Sequence, residues 1–320
     1  MQIHRLVIGA VGASLLAAAA SAQTIGIAGN KSGFASQASA AIAKVVTENS
    51  GLQARTQGFG GPGVYVPLVG SGKVEFGIAS EYEAHLAVTG SSVYKGRGQP
   101  GLRLGTRLVP FNVALFARKG SDIKTVADLR GKRVPAGFTS QKVIGILIEA
   151  VLANGGLTYD DVTKVMVPNV VGSANDFAAG KADVFFFVLS AGKVKETAAQ
   201  VGGLQVVQIS PDADAVARMR KLVPPAYAIK LEPAPNRPGV NETSYLFAYS
   251  MMLVTSDKVP ADIVYRVLKT MHDNKPALAA SFAALREFDP GNMARKHPSA
   301  KFHEGAIRLY RELGQWPPKD

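Results

Sequence analysis

Apolar positions in this chain change repeatedly between strand-like and helix-like spacing, which predicts alternating strands and helices. Residues 24–28 form a short apolar run typical of a strand, and residues 29–34 form a turn-rich loop. Residues 52–57 and 75–80 predict two further strands, separated by a glycine-rich loop at residues 58–63. Between the first two strands, apolar residues recur at helical spacing, namely Ala38, Ala41, Ile42, Val45 and Val46. The chain therefore begins with a β–loop–α–β unit.

The same order recurs in the second half of the chain. A strand at residues 133–136 and a loop at residues 137–140 precede a helix with the apolar face Val143, Ile144, Leu147, Ile148, Val151 and Leu152. Three more strands are predicted, at residues 165–167, 183–188 and 204–209. In each half a helical stretch meets a Gly-Lys turn and then a strand with an acidic residue. This duplication predicts two related α/β lobes, with a ligand cleft between them at the strand ends.

Two long apolar segments predict strands that connect the lobes. Residues 102–118 and 245–255 are suited to pair, with residues 110–118 facing the second segment, and to carry the chain out of the first lobe and back. The sequence thus predicts an α/β fold of two domains joined by two crossing hinge strands. The predicted limits of the lobes are residues 23–117 and 248–320 for the first lobe and residues 118–247 for the second.

The remaining segments predict an excursion and a C-terminal helical cover. The proline-rich residues 224–238 predict an irregular surface excursion. Helices are predicted at residues 261–272 and 299–313, and both are expected to pack on the first lobe. Leu309, Tyr310 and Trp316 are the expected core contacts of this segment, so we expect Trp316 to have a packing role.

The first 22 residues have the pattern of a secretory signal peptide. A basic start with Arg5 precedes a small apolar run over residues 6–20, and Ala20-Ser21-Ala22 matches the A-x-A cleavage pattern. The run is shorter than the roughly 20 apolar residues that span a bilayer. The chain has no cysteine to form a disulfide or to carry a lipid. We therefore expect cleavage after Ala22 and a soluble protein in the periplasm.

The formal net charge of +12 at pH 7 biases the protein toward anions. The Lys and Arg residues are scattered, and no basic run interleaved with aromatic residues accompanies them, so a nucleic-acid partner is not expected. Two interpretations of the charge stay open. It provides either a solvated basic surface that keeps the protein soluble or the steering of a small anionic ligand.

Patterns typical of catalysis and metal binding are missing from the sequence. His85, His272, His297 and His303 lack the spacing of zinc ligands, and neither a cysteine nor a Gly-x-Ser-x-Gly nucleophile elbow occurs. No P-loop or dinucleotide fingerprint follows a predicted strand. We therefore expect a binding protein rather than an enzyme, with no cofactor and no metal, and we expect His303 to belong to the C-terminal packing.

Three loops that lead from a strand end into a helix start predict the ligand contacts. Helix N-termini offer free N–H groups and about half a positive charge, which suits a carboxylate. We expect backbone or side-chain hydrogen bonds to the ligand from Ser32, Gly33, Phe34, Gly60, Gly61, Thr139, Ser140 and Gln141. The alternative is that these Ser, Thr and Gly residues only cap helices, as such residue types commonly do.

Several longer motifs resemble the TAXI family of extracytoplasmic solute receptors. They are residues 71–78, 123–134, 156–162 and 180–186, together with the ending at residues 303–317 that runs from His-Glu-Gly to Gln-Trp-Pro. The resemblance covers essentially the whole chain after residue 23. It implies a two-lobed type II periplasmic binding protein, acting as a monomer, that closes on a small anionic or zwitterionic solute such as glutamate, a dicarboxylate or a 2-oxo acid. It also implies delivery of that solute to a TRAP-type membrane permease with fused subunits.

The resemblance places further residues at the ligand site, and some depart from the family pattern. Ser80-Glu81-Tyr82 stands where family members often read Gln-Ser-Asp, so Glu81 either faces a ligand cation or marks a helix start. Pro110 matches a family proline, whereas Phe111 replaces a common Glu and serves as pocket wall or as core.

Three more residues complete the predicted site. Arg107 could form two hydrogen bonds to a ligand carboxylate, or it forms a surface ion pair. Phe187 and Ser190, which follow the paired phenylalanines after Gly180-Lys181, are assigned to the same site. The alternative functions are a binding protein of an ATP-driven importer of the ABC type and a ligand-sensing receptor for a sensor kinase.

Overall fold

The computed structural model describes residues 23–139 and 141–318. The predicted signal peptide and Ser140 lie outside the described residues. The strands are β1 (Thr24–Asn30), β2 (Gln53–Phe59), β3 (Phe76–Ser80), β4 (Leu102–Arg118), β5 (Arg133–Gly137), β6 (Thr163–Val167), β7 (Phe185–Val188), β8 (Leu204–Val207), β9 (Tyr227–Leu231), β10 (Ser244–Ser256) and β11 (Lys301–Phe302). The helices are α1 (Phe34–Asn49), α2 (Pro62–Gly70), α3 (Glu81–Thr89), α4 (Lys142–Asn154), α5 (Val170–Ala178), α6 (Gly192–Val201), α7 (Ala213–Leu222), α8 (Ala261–Asp273), α9 (Lys275–Ser281) and α10 (Glu304–Glu312).

The first lobe is built on the parallel strands β1, β2 and β3. Strand β1 lies between the other two, with Ile27 opposite both Thr56 of β2 and Phe76 of β3. Helix α1 buries its apolar stripe completely, at Ala38, Ile42, Val45 and Val46. Because β1, β2 and β3 are parallel and each leads into a helix, the starts of α1, α2 and α3 lie at one edge of the sheet.

The long strands β4 and β10 connect this sheet to the second lobe. The late residues of β10 pair with β3, whereas its early residues pair with β9. Strand β4 contacts β11 through its first residues and β7 and β8 through its last ones. The second lobe contains β5 to β8 and α4 to α7, and β5 pairs with β6 in a separate two-stranded sheet. This arrangement confirms the predicted α/β fold with two strands that cross between two lobes.

The two long strands pair in a different register from the predicted one. The sequence prediction placed residues 245–255 against residues 110–118, but Ser256 lies opposite Leu102 and Phe247 opposite Val113. Strand β10 therefore pairs mainly with the first two thirds of β4. The last residues of β4 pair instead with β7 and β8, which the prediction did not use as partners.

Two predicted elements differ in the structure. The proline-rich segment at 224–238 was predicted to be irregular, yet Tyr227–Leu231 forms β9 and pairs with the early part of β10. Its prolines flank the strand, so they remove no hydrogen bond from it. The predicted helix at 299–313 begins later, because β11 occupies Lys301–Phe302 and α10 starts at Glu304.

The C-terminal segment packs on the first lobe through buried aromatic rings. Tyr310 is fully buried, and its ring lies edge-on to Phe302 at 5.6 Å. Trp316 also lies edge-on to Phe302, at 5.9 Å. His303 caps α10, since its Nδ1 accepts from Gly305 N–H at 3.1 Å. A side chain at Gly305 would lie 2.2 Å from the Ala261 carbonyl oxygen, so glycine permits the close approach of α10 and α8. The predicted packing roles of Leu309, Tyr310 and Trp316 are confirmed.

No helix among the described residues combines the length and the apolar composition that crossing a bilayer requires.

Candidate functional site

A cleft of about 890 Å³ lies between the two lobes. The first lobe contributes the loops that lead into α1, α2 and α3, and the second lobe contributes the start of α4 and the end of β7. The crossing strands β4 and β10 supply Phe111, Val113, Tyr249 and Met251. The cleft therefore lies where two lobes that hinge on these strands would close on a small molecule.

Most of the sequence-predicted contacts line this cleft together. Those on its walls are Ser32, Gly33, Phe34, Gly60, Gly61, Ser80, Phe111, Thr139, Gln141 and Phe187. They come from both lobes and lie as much as 155 positions apart in sequence, between Ser32 and Phe187. The reasoning from strand ends to helix starts thus identified residues that the fold assembles around one cavity. Whether they contact a ligand stays a prediction.

Four of the residues that line the cleft also stand at the N-cap positions of helices. A position at a helix start and a position on the cleft wall are therefore compatible in these loops. Gly33, Gly61, Ser80 and Gln141 are the N-cap residues of α1, α2, α3 and α4. Gly33 has φ of 79°, a conformation that favours glycine. Ser80 accepts a hydrogen bond from Glu83 N–H at 3.1 Å and so satisfies one free donor of α3. The N-termini of these four helices therefore lie at the cleft walls.

The second-lobe loop makes a sharp turn before α4. Gly137 and Phe138 have φ of 87° and 46°, and Phe138 is fully buried in this left-handed conformation, which is uncommon for a residue other than glycine. The turn brings Thr139 and Gln141 to the cleft wall. Gln141 Oε1 accepts from Val170 N–H at 3.0 Å, so its side chain fastens the start of α4 to the start of α5.

Glu81, Arg107, Pro110 and Ser190 are not among the residues that form the cleft walls. Glu81 is 3% exposed, begins α3, and accepts at Oε2 from Ser250 N–H at 2.8 Å. Burial raises its pKa, and the Ser250 hydrogen bond and the nearby charges of Arg295 and Arg107 oppose that shift. This placement supports the helix-start interpretation of Glu81.

Arg107 and Glu81 both contact Ser250, so they belong to one partly buried network. Its Nε donates to Ser250 Oγ at 3.0 Å, and its Nη2 donates to Tyr227 OH at 3.3 Å. Arg295 lies over the Tyr227 ring at 3.9 Å from the centroid. The guanidinium of Arg107 thus fastens β4 to β10 and β9, a role that neither of the two predicted alternatives described.

An aromatic floor was not predicted from the sequence. Phe111 lies edge-on to Phe34 at 5.9 Å and tilted against Tyr249 at 5.6 Å, and all three rings line the cleft. Tyr65 adds a fourth ring and donates its hydroxyl hydrogen to the Ile78 carbonyl oxygen. The residues come from four different elements, so no spacing in the sequence marks them as a group. The cavity therefore offers an apolar, aromatic surface as well as hydrogen-bond donors.

Glu83 is the second feature that sequence reasoning missed. This partly buried residue lines the cleft, and Ser80 N–H and Oγ–H each lie 3.3 Å from its Oε2. Burial raises the pKa of the Glu83 carboxyl group to about 7, and the hydrogen bonds from Ser80 oppose that shift. The Ser80-x-x-Glu83 spacing is a capping box, which is the sequence signal that could have located it.

Two buried polar atoms of the first lobe have no hydrogen-bond partner among the described residues. Asn30 Oδ1 belongs to a residue that lines the cleft, and Tyr94 OH is fully buried. The Glu83 charge adds to the effect of burial in raising the pKa of Tyr94, which places the two groups close together. Buried polar atoms normally have a partner, so the oxygen of Asn30, whose residue lines the cleft, is an acceptor that a solute could satisfy.

The described residues contain no group of three or more Asp, Glu or His side chains that could hold a metal ion.

A protein family model and several solved structures match nearly the whole length of this chain. The model of the NMT1-like family matches residues 29–314. A TctC solute binding protein from Polaromonas superposes with a TM-score of 0.55 at 11% identity, covering 92% of this chain and 96% of that chain. The periplasmic aliphatic sulphonate binding protein SsuA from Escherichia coli gives a TM-score of 0.50 at 13% identity, covering 92% and 86%. At these identities the likeness shows the shared two-lobed, type II periplasmic binding protein fold.

Proposed function

The chain belongs to the NMT1-like family, and on that premise we propose that it is an exported receptor that binds a small solute between its two lobes and delivers it to a membrane permease. The observation that supports this most directly is the cleft of about 890 Å³, whose walls combine the helix starts of both lobes. A cavity of this size suits a small organic molecule. The signal-peptide pattern of residues 1–22 supports a periplasmic location.

The proposed cycle makes no covalent bond. The lobes open and close about β4 and β10, and a solute that contacts both walls favours the closed state, because only that state provides all of its contacts. Thr139, Gln141 and Phe187 from the second lobe would then meet Ser32, Gly33 and Phe111 across the solute. Closure also changes the outer surface of the lobes, which a permease can recognise.

We further propose that the partner is a TRAP-type permease of the kind served by TAXI receptors, since the motifs at residues 71–78 and 303–317 resemble that family. The solutes expected from the resemblance are small organic anions and amino acids. A fused TRAP permease gene beside the gene for this chain would support this choice. An adjacent ATPase gene would support an ABC-type importer instead, and an adjacent sensor kinase gene would support a signalling receptor.

Thermal unfolding with added solutes tests the receptor function. The protein is refolded from denaturant to remove bound solute and then heated with single dicarboxylates, 2-oxo acids, amino acids, amines and aromatic acids. A ligand at 100 times its Kd stabilises the native state by about 2.7 kcal/mol, so a specific solute raises Tm in a dose-dependent way. A cooperative unfolding transition that no solute shifts would contradict a receptor for these classes, and chemical conversion of a bound solute would show an enzyme.

We expect closure to be visible as a shortened distance between the rims of the cleft. Val64 on α2 and Val171 on α5 are 56% and 46% exposed, and the chain has no cysteine of its own. Spin labels on Val64→Cys and Val171→Cys should therefore report one interlobe distance, and saturating solute should move that distance distribution to shorter values. Labels on Val64→Cys and Glu48→Cys, both in the first lobe, are the matched control and should show no shift. An interlobe distance unchanged by a solute that raises Tm would contradict the closing cycle.

A further inference from the structure

The ionised Glu83 carboxylate on the cleft wall has the opposite sign from the one that a ligand carboxylate would need at that position. Among the described residues that line the cleft, Glu83 is the one carboxylate, and it lies at the inner wall beside Ser80. The basic residues of the lining, Arg97 and Lys142, are exposed. A ligand carboxylate placed against Glu83 would be repelled, whereas a cation there would be attracted.

Two side chains of the cleft lining, Glu83 and Asn30, offer acceptors to a ligand that donates hydrogen bonds. Asn30 Oδ1 has no hydrogen-bond partner among the described residues. The Glu83 carboxylate accepts only from Ser80, through Oε2, among the hydrogen bonds of the described residues. An ammonium group has three N–H donors and no acceptor, which matches a wall of oxygen atoms.

A large part of the remaining wall is apolar and aromatic. Phe34, Phe111 and Tyr249 form one continuous ring surface, and Val143, Ile144 and Leu147 of α4 face the cleft from the second lobe. Such a surface stabilises an apolar or aromatic body and also attracts a nearby cation through the ring faces.

We propose that the solute bears a protonated amino group, which Glu83 binds together with the Asn30 amide oxygen, and an apolar or aromatic body that packs on Phe34, Phe111 and Tyr249. This proposal rests on the receptor function proposed above and narrows its ligand class. It favours apolar amino acids and aromatic amines over dicarboxylates and 2-oxo acids. A zwitterionic ligand would add a carboxylate contact with the exposed Lys142 or Arg97, so the two sources of the ammonium group can be separated by experiment.

Binding of this kind depends on pH in a defined direction. The groups that face Glu83 are the phenols of Tyr65, Tyr94 and Tyr249, whose pKa values burial raises further above 10, and Arg97 at the cleft edge. His85 on the same helix has a pKa lowered by burial, so it is neutral above pH 6.5. The pKa of Glu83 is raised to about 7, and an ammonium ligand binds its ionised form. Affinity should therefore rise about tenfold from pH 6 to pH 8.

The test uses matched solutes that differ only in their charged groups. Calorimetric titrations at pH 6 and pH 8 compare L-phenylalanine, 2-phenylethylamine and 3-phenylpropionate, and the same comparison is made with leucine, 3-methylbutylamine and 4-methylpentanoate. We expect the solutes with an amino group to bind at least tenfold more tightly than the acids that lack it. Binding by the amine as well as the amino acid identifies the ammonium group alone as sufficient, whereas binding by the amino acid only assigns a role to the carboxylate as well.

Glu83→Gln keeps the size of the side chain and the capping-box pattern, and Glu48→Gln is the matched control on the exposed face of α1. In Glu83→Gln the affinity for the amino solute should fall at least tenfold at pH 8, and its pH dependence should disappear. Glu48→Gln should behave like the unaltered protein. Unchanged affinity and pH dependence in Glu83→Gln would overturn the assignment.

The two proposals fail in distinguishable ways. Tight binding of acids without an amino group, with amines and amino acids inactive, would overturn the ammonium assignment and leave the receptor function standing. Failure of every solute in the panel, in protein that unfolds cooperatively, would count against both proposals. Amino solutes that bind equally well to the unaltered protein and to Glu83→Gln would support the receptor and overturn the role of Glu83.

Discussion

Replacing Glu83 with Gln is expected to stabilise the ligand-free protein by about 1–3 kcal/mol at pH 8, since each unit of pKa shift corresponds to about 1.4 kcal/mol. Burial raises the pKa of this carboxyl group from 4.5 to about 7. At pH values between 4.5 and 7, the folded state therefore keeps a proton on Glu83 that the unfolded state has already released. The contribution of Glu83 to the free energy of unfolding falls as pH rises from 4.5 to 7. Above pH 7 the group is ionised in the folded state, and its whole desolvation penalty opposes folding.

Urea unfolding of the ligand-free protein at pH 5 and pH 8 measures the effect. Glu83→Gln should gain stability at pH 8 and much less at pH 5, because a neutral carboxyl group and an amide have similar costs of burial. Glu48→Gln is exposed and should show no such pH-dependent gain. Equal loss of stability in Glu83→Gln at both pH values would show that the ionised group is part of the structural framework.

Glu83→Gln is expected to gain stability without ligand and to lose affinity for the amino solute. Together these two effects would indicate that Glu83 serves ligand binding. A residue kept only for packing should stabilise the fold, whereas the ionised Glu83 is expected to lower the stability of the ligand-free protein and to bind the proposed ammonium group. Glu81, two positions earlier, is the contrasting case: it is buried behind the cleft and receives a hydrogen bond from Ser250 N–H at 2.8 Å. One carboxylate thus joins β10 to α3, and the other lies on the cleft wall, where a solute can reach it. Sites that bind ligands often retain such locally unfavourable groups.

Local patterns in the sequence predicted most of the elements but not their neighbours. Strand β4 was predicted at residues 102–118, which are its observed bounds, because its long apolar run is unambiguous. Strand β9 was missed, since its short segment lies between prolines and gains its hydrogen bonds only from β10. The register of β4 against β10 also depends on irregularities between Met251 and Met252 and between Leu253 and Val254. Bulges of this kind depend on tertiary pairing and have no strict sequence signature.

The same limit explains which cleft residues could be predicted. Loops between a strand end and a helix start have a recognisable pattern, and Ser32, Gly60 and Thr139 were found in that way. Arg107 lies four positions before the cleft residue Phe111 on β4, but its guanidinium contacts Ser250 and Tyr227. A register irregularity lies next to it, between Met251 and Met252 of β10, and the sequence does not mark such a position. The aromatic floor needed four elements to meet, so it became visible only in the assembled fold.

Tyr310→Ala is expected to lower the free energy of unfolding by about 3–5 kcal/mol, the range found when a large buried aromatic side chain is truncated. Tyr310 is fully buried, and its ring packs edge-on against Phe302 at 5.6 Å. Its hydroxyl group donates to the carbonyl oxygen of Gly105, so it joins α10 to the connecting strand β4. Truncation would leave a cavity between these elements and an unpartnered carbonyl oxygen on a strand that links the lobes.

Chemical unfolding of Tyr310→Ala and Tyr310→Phe separates the two contributions. Tyr310→Phe keeps the ring and loses only the hydrogen bond to Gly105, so it should lower stability by about 1–3 kcal/mol. Tyr310→Ala should lose clearly more than Tyr310→Phe, while the affinity for solute in the folded fraction stays the same, because Tyr310 is remote from the cleft walls. Equal losses in the two variants would contradict a dominant packing role for the ring. A reduced affinity in Tyr310→Phe, which retains the packing, would instead show that the contact with β4 influences closure of the lobes.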